Sequence, residues 1–351
     1  MKKLGKPDLA ARINYATYAC VTAAFIVLQL LSQNANFSPT LRGQLVPICA
    51  YVVMALSLNL TVGIQGELSL GHAGFMGVGA FAGAVAAAAL PIANDGLRLA
   101  ASMLIGAVFA ALAGMLVGIP VLRLNGDYLA IVTLAFGQIL KSIVENLYIG
   151  MDADGLQFSF LENRLLLKEG GKMILNGPMG VNGITKISTF AAGFILIMVI
   201  LTVIFNLVGS RAGRAIMALR DNRIAAESVG ISVMKYKLMA FVISAAMAGA
   251  AGTLFALGQN TVTAPKFDFN TSILILVFVV LGGQGNMWGS ILAAAFLTVL
   301  PETKAMRGLA DYRMLVYAIV LILVMLATNA PAVQDFIKSK FPGKKEVPAH
   351  E

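Results

Sequence analysis

The 351-residue sequence predicts an all-α polytopic membrane protein with about ten transmembrane segments. Three observations carry this. Hydrophobic residues make up 58% of the chain. Charged residues make up 12%, about half of what a soluble domain carries. Apolar runs of about 20 residues, the length of a bilayer-spanning helix, recur from end to end. Mean hydropathy is +0.83. The same figures exclude disorder, a collagen, a coiled coil and a disulfide scaffold.

The first run is Tyr15–Leu31, preceded by Lys2, Lys3, Lys6 and Arg12. No A-x-A cleavage site follows Leu31, so it reads as a retained helix and not a signal peptide. Gln44–Ile64 is the second run, after a polar loop with Arg42. A Gly-rich run, Leu70–Leu90, ends at Pro91, Asn94, Asp95 and Gly96. Leu99–Leu122 closes on Arg123-Leu124-Asn125-Gly126-Asp127, and Tyr128–Ile149 follows. Gly150–Ser188 is the longest polar stretch. Thr189–Val208 returns to the membrane, Gly209–Lys235 is polar and basic, and Tyr236–Gly258 is rich in Ala and Gly. Tyr312–Thr328 is the last run, and a polar tail with four lysines begins at Asn329.

Between these lies Thr271–Leu300, a block of 30 residues interrupted by Gly282-Gly283-Gln284-Gly285-Asn286. Thirty residues are long for one span and short for two. Broken backbone is tolerated at membrane depth inside protein or beside a cavity. A broken or re-entrant segment near 282–289 therefore divides the block into Thr271–Gly285 and Met287–Leu300. That makes ten segments, whereas one long tilted helix would make nine.

Net charge is +9. In a membrane protein such an excess concerns which loops are cytoplasmic, and nothing here calls for nucleic acid. With the N-terminus inside and ten segments, inside loops hold 15 Lys and Arg against 10 outside. Both termini are then cytoplasmic and 150–188 is extracytoplasmic. Cys20 and Cys49 lie in apolar runs, which suggests neither a disulfide framework nor a metal site.

The stretch Gly213–Gly230 holds good helix formers and ends on a glycine suited to a helix C-cap. It reads as one or two short helices on the cytoplasmic face. Arg220, Asp221, Arg223 and Glu227 face water, and Ile224 and Ala225 face a partner. A solvated connector obeying the positive-inside rule is the alternative.

Its x-A-A-x-x-x-G spacing over Ile224–Gly230 resembles the coupling-helix signature of ABC-transporter permeases. The wider string Gly213–Phe255 resembles the permeases of branched-chain amino acid importers, the LivM-like subunit in particular. Arg123–Gly137 is similar to that family's R-L-x-G-D-Y-L-A-I-V-T-L-x-F-G, and Val279–Gly285 to its V-V-L-G-G-x-G. The start of the third segment, Gly66–Gly83, is similar to G-x-x-S-L-G-x-A-x-F-x-G-x-G-A. Many ABC permeases carry Glu where Ile224 stands.

The resemblance implies an ABC importer permease fold over 1–351. In it, 150–188 is an extracytoplasmic lobe, 209–235 a cytoplasmic coupling region and 329–351 a cytoplasmic tail. It implies a subunit moving branched-chain amino acids across the inner membrane by alternating access, without its own ATPase site. ATP acts on two partner subunits, beside a LivH-like partner permease and an extracytoplasmic amino-acid-binding protein, all within membrane lipid. The coupling contact is assigned to Arg220, Asp221, Ile224, Ala225, Ala226, Glu227 and Gly230, with Ala225 and Ala226 as its small face.

In the third segment, Gly79-x-x-x-Gly83 is a small-residue packing pattern. Gly66 and Gly71 are places where backbone unwinds beside a cavity. Ionisable groups inside a span must avoid lipid. Glu67, Ser69, His72 and Gln138 are accordingly the candidate lining of a translocation path, with packing or an interfacial position as the alternative. Gln138, Lys141 and Glu145 share one helical face, and Lys141 can pair with Glu145. Asn59 and Asn206 are weaker cases. Gly282, Gly283 and Gly285 are assigned to the turn.

No G-x-x-x-x-G-K-[ST] occurs, so the chain shows no P-loop for ATP. An importer for urea, a short amide or another amino acid is the nearest competing reading. An ion-coupled secondary transporter needs paired intramembrane carboxylates, and Glu145 alone lies well inside a predicted span. A membrane enzyme lacks a catalytic constellation.

Overall fold

Small residues set the centre of the fold. The structure is a computed structural model that describes residues 9–33, 38–124, 126–152, 155–161 and 171–300, with Leu315, Ile319 and Ile322 as isolated positions. The expected last span, Tyr312–Thr328, lies outside the described residues apart from those three positions, and so does the tail 329–351.

Helix α1 (Leu9–Gln33) packs on α6 (Phe190–Gly209), where Phe25 stacks on Phe194 with ring centroids 4.2 Å apart. Helix α2 (Pro39–Asn59) continues into a wider π-helical turn, Leu60–Gln65. Then follow α3 (His72–Ala89), α4 (Asp95–Val121) and α5 (Asp127–Glu145). After α6 come two short helices, α7 (Arg211–Asp221) and α8 (Arg223–Ser228), then α9 (Val233–Ala256). Helices α10 (Phe269–Gly282) and α11 (Met287–Val299) complete the described chain.

Eight of these segments are long and apolar enough to cross a membrane, and α11 is a shorter apolar helix. The 30-residue block is thus two helices that pack against each other and against α2, with the break where the glycines stand.

Helices α3, α4 and α9 form the tightest bundle because glycines replace side chains at their crossings. A Cβ on Gly79 would collide with the backbone of Gly249, and one on Gly83 with Thr253. Thr253 Oγ1 donates to the Gly79 carbonyl at 2.8 Å. In lipid, where apolar burial gives little drive for association, such backbone approach supplies the packing. The outer faces of α4, α5 and α6 carry exposed Leu112, Leu116, Ile139, Ile143, Ile195 and Val199. Such apolar stripes fit lipid or another subunit and not water.

The lobe departs from an all-helical chain. It is an antiparallel five-stranded sheet in the order β2-β1-β3-β4-β5. Its strands are β1 (Leu147–Asp152), β2 (Gly155–Phe160), β3 (Lys172–Asn176), β4 (Val181–Asn182) and β5 (Thr261–Val262). Helix α5 stops at Glu145, so the predicted span Tyr128–Ile149 is shortened and Leu147–Ile149 belong to β1. Asn146 ends the helix by donating its side-chain amide to the Ser142 carbonyl at 2.8 Å. Glu145 therefore lies at a helix end and not well inside a span. Strand β5 follows α9, which puts the sheet and the far end of α9 on one face. Helices α7 and α8 lie at the opposite face.

Candidate functional site

Two short breaks between successive membrane segments meet at the α7–α8 face. The first is Gly66–Gly71, between the π-helical turn and α3. Gly66 takes φ +79°, a left-handed value that a side chain disfavours, and a Cβ there would press on Arg220 Cγ at 2.8 Å. Helical hydrogen bonds are lost here, so other helices satisfy the backbone. Leu70 N donates to Thr133 Oγ1 of α5 at 3.0 Å, and Ala73 N to Ser272 Oγ of α10 at 3.1 Å. Gly71 lies directly against the Thr133 carbonyl.

Glu67 forms an ion pair with Lys237 of α9. Their side chains are only 12% and 9% exposed. Breaking a buried pair by removing one partner costs about 3–5 kcal/mol, because the other charge is stranded. Lys237 lies in the first turns of α9 and is buried.

The second break is residues 283–286, between α10 and α11. Asn59, the last residue of α2, ties it to the first. Gly285 N donates to Asn59 Oδ1 at 2.8 Å, and Asn59 Nδ2 donates to Ser290 Oγ of α11 at 2.9 Å. Gly283 and Gly285 both have positive φ, while Gly282 packs on Gly289.

A third connection comes from outside the membrane segments. Arg220, in the last turn of α7, donates Nη1 to the carbonyl of Gly63 in the π-helical turn. The side chain expected at the wet rim thus reaches the junction of both breaks.

Deeper in, Ser57 of α2 and Ser244 of α9 exchange bonds. Ser57 Oγ donates to the Ser244 carbonyl at 2.6 Å, and Ser244 Oγ to the Ser57 carbonyl at 2.7 Å. His72 Nε2 lies 2.7 Å from Ser57 Oγ, and Thr61 Oγ1 donates to Ser244 Oγ at 2.8 Å. Several polar atoms stay buried without a hydrogen-bond partner among the described residues: both amide atoms of Gln65, Ser69 Oγ and His72 Nδ1. Each such group costs about 1–3 kcal/mol. A chain that retains four within eight residues keeps polar capacity where packing alone would have removed it.

The structure brings together Glu67, Ser69, His72, Arg220, Gly282, Gly283 and Gly285. Ser69 and His72 are enclosed by this chain. Gln138 is half-buried on α5 next to Gly137, which packs on Gly71. Lys141 and Glu145 pair at 3.5 Å toward the lobe and away from this junction.

The short helices are two, as one of the expected arrangements had it. Asn222 caps α8 by accepting from Ala225 N at 3.0 Å. Ile224 is 81% exposed, and Val229, Ala225, Asp221 and Glu227 are exposed with it. Glu227 pairs with Arg223 at 3.3 Å. Ala226 is buried against its own chain, so the small exposed face is Ala225 alone. Gly230 turns the chain with φ +86° in open space.

Sequence reasoning passed over Lys237, Ser57, Ser244, Thr133 and Ser272. Only an unpaired Glu67 hinted that a buried cation must exist somewhere.

The family described as branched-chain amino acid transport system / permease component matches residues 41–325. The high-affinity branched-chain amino acid transport system permease protein LivM of Escherichia coli (strain K12) is 38% identical over 286 residues, which cover 79% of this chain and 66% of that protein. LivM of Salmonella typhimurium matches to the same extent. The chain thus spans just under two thirds of the length of these two relatives. The ribose import permease protein RbsC of Escherichia coli (strain K12) is 27% identical over 285 residues, 79% of this chain and 81% of that protein. No solved structure matches. The matched region holds both breaks and both short helices, and the chain belongs to the branched-chain amino acid transport system permease family.

Proposed function

We propose that this chain is one permease subunit of an ABC importer that moves branched-chain amino acids across an inner membrane. A LivH-like permease completes the channel, two ATP-binding subunits dock on α7 and α8, and an extracytoplasmic binding protein delivers substrate to the lobe face. The α7–α8 face is then cytoplasmic and both termini lie on that side.

One arrangement supports the reading best. A pair of short helices stands exposed on one face, and Arg220 in the last turn of the first one bonds the Gly63 carbonyl beside the two breaks between membrane segments. ATP is hydrolysed on other subunits, so force must cross a protein–protein contact. Ile224, Ala225 and Val229 offer an apolar surface for a partner groove. Asp221, Arg223 and Glu227 form a polar rim that orients docking more than it strengthens it. Movement of α8 pulls α7, and Arg220 carries that displacement to Gly63 and the turn beside it. Glu67, Ser69, His72 and Gln138 are then polar groups that become accessible as the breaks rearrange.

Ala225→Trp tests the docking. Normal membrane insertion with lost leucine uptake and weakened ATPase association is expected. An ATPase that stays bound while uptake is unchanged would show that α8 is a connector.

A further inference from the structure

A cleft of about 390 Å³ opens on the lobe face, far from the broken-helix junction. That size is in the range of small-molecule sites. Its floor is the end of α3, its walls the first turn of α4 and the sheet. Three features of its lining fit one kind of ligand.

The first is Arg98. Its side chain is 22% exposed and lines the cleft. Nη2 donates to Asp95 Oδ1 at 2.7 Å, but that carboxylate is 67% exposed and the pair is solvent-screened. Arg98 Nε is buried and has no hydrogen-bond partner among the described residues. A guanidinium with an unmet N–H suits an oxyanion that accepts two parallel donors, and a carboxylate is the smallest common one. The second is Asp152, at the end of β1 in the same cleft. It accepts from Gln157 Nε2 at 2.8 Å, and a carboxylate takes several donors at once. The third is the apolar remainder: Ala84 and Ala87 leave room, and Ile174, Val181 and Leu257 supply aliphatic wall.

We propose that this cleft is a binding site for a free aliphatic α-amino acid, with the α-carboxylate on Arg98 and the α-ammonium toward Asp152. The proposal rests on the transport reading and deepens it: the solute is held here on the lobe face, before the membrane segments open. The opposed charges select the zwitterion, and the aliphatic wall of Ile174, Val181 and Leu257 selects an apolar side chain over a polar one.

Thr185, exposed at the rim, provides the probe position. Thr185→Cys is introduced into a chain with Cys20→Ser and Cys49→Ala and assembled with its partner subunits in proteoliposomes. The rate of reaction with a charged, membrane-impermeant thiol reagent is then read. Leucine should slow that reaction. Leucinamide, which lacks the carboxylate, and 4-methylpentanoate, which lacks the ammonium, should not. Adding Arg98→Gln should raise the leucine concentration needed for protection about tenfold or more, and Arg98→Lys should retain part of the effect. No protection by leucine overturns the site, as does equal protection by leucinamide or full protection in Arg98→Gln. ATP-driven leucine uptake is measured in the same vesicles. Uptake without protection overturns the cleft alone, whereas absent uptake in the parent complex overturns the transport reading.

Discussion

Two ion pairs stand at opposite faces of this protein, and they are built differently. Lys237–Glu67 joins α9 to the non-helical stretch Gly66–Gly71, across 170 residues of sequence, and is almost wholly shielded. Arg98–Asp95 joins residues one helical turn apart, and its acid is mostly in water. The first ties the non-helical stretch Gly66–Gly71 to α9. The second costs little to open and leaves a cation facing a cleft. The same chemistry therefore locks one face and keeps the other available.

The largest effect expected from breaking this contrast is at the shielded pair. Glu67→Gln should destabilise the protein by about 3–5 kcal/mol, since Lys237 is left charged and unpaired. Thermal unfolding in detergent measures it. Glu67→Leu combined with Lys237→Met should return most of that stability, as apolar replacements of buried pairs often do. If the pair also times the rearrangement of the breaks, uptake stays lost in the double variant.

Next in size is Asn59→Leu. It strands Gly285 N–H and removes one of the two partners of Ser290 Oγ, which still donates to the Asn286 carbonyl, at a cost of about 1–3 kcal/mol. The same unfolding assay applies, and an unchanged midpoint would mean that α11 shifts to find new partners. Arg220→Ala should cost about 1 kcal/mol or less, because much of its side chain is exposed. Its signature is functional: ATP hydrolysis persists while uptake falls. Loss of both would place Arg220 in ATPase docking instead. Smallest is Asp95→Asn, expected within about 0.5 kcal/mol. If it destabilises as much as Asn59→Leu, the contrast between the two faces fails.

Much of the helical frame was legible because apolar run lengths and glycine positions have direct physical meaning. Gly79 and Gly83 sit where helices cross, Gly66 ends the π-helical turn, and Gly282–Asn286 divides the long block. Exposure of Ile224 and Ala225 also followed from their place in a polar stretch. What was not legible depends on partners distant in sequence. Lys237 follows a basic loop, and only Glu67, 170 residues earlier, makes it a buried residue. Ala226 and Ala225 are adjacent and alike, yet one turns inward; a six-residue helix is too short for periodicity to tell them apart. The lobe was a polar stretch without a long alternating pattern, since β4 and β5 are two residues each and pair only with each other and β3.

That last pairing sets an order of events. Val181 meets Val262 and Asn182 meets Thr261 across about 80 residues of intervening chain. The β1–β2 hairpin can form as soon as it is synthesised. The fifth strand exists only after α6 to α9 have been made and α9 has delivered its far end to the lobe face. Pairing across such separation is slow relative to local structure. A ribosome stopped shortly after residue 230 would leave β4 with an open edge, the kind of surface on which chains associate wrongly. Completion of the sheet thus reports that the ninth helix has crossed in the right direction, and a probe of that edge would date membrane insertion during biosynthesis.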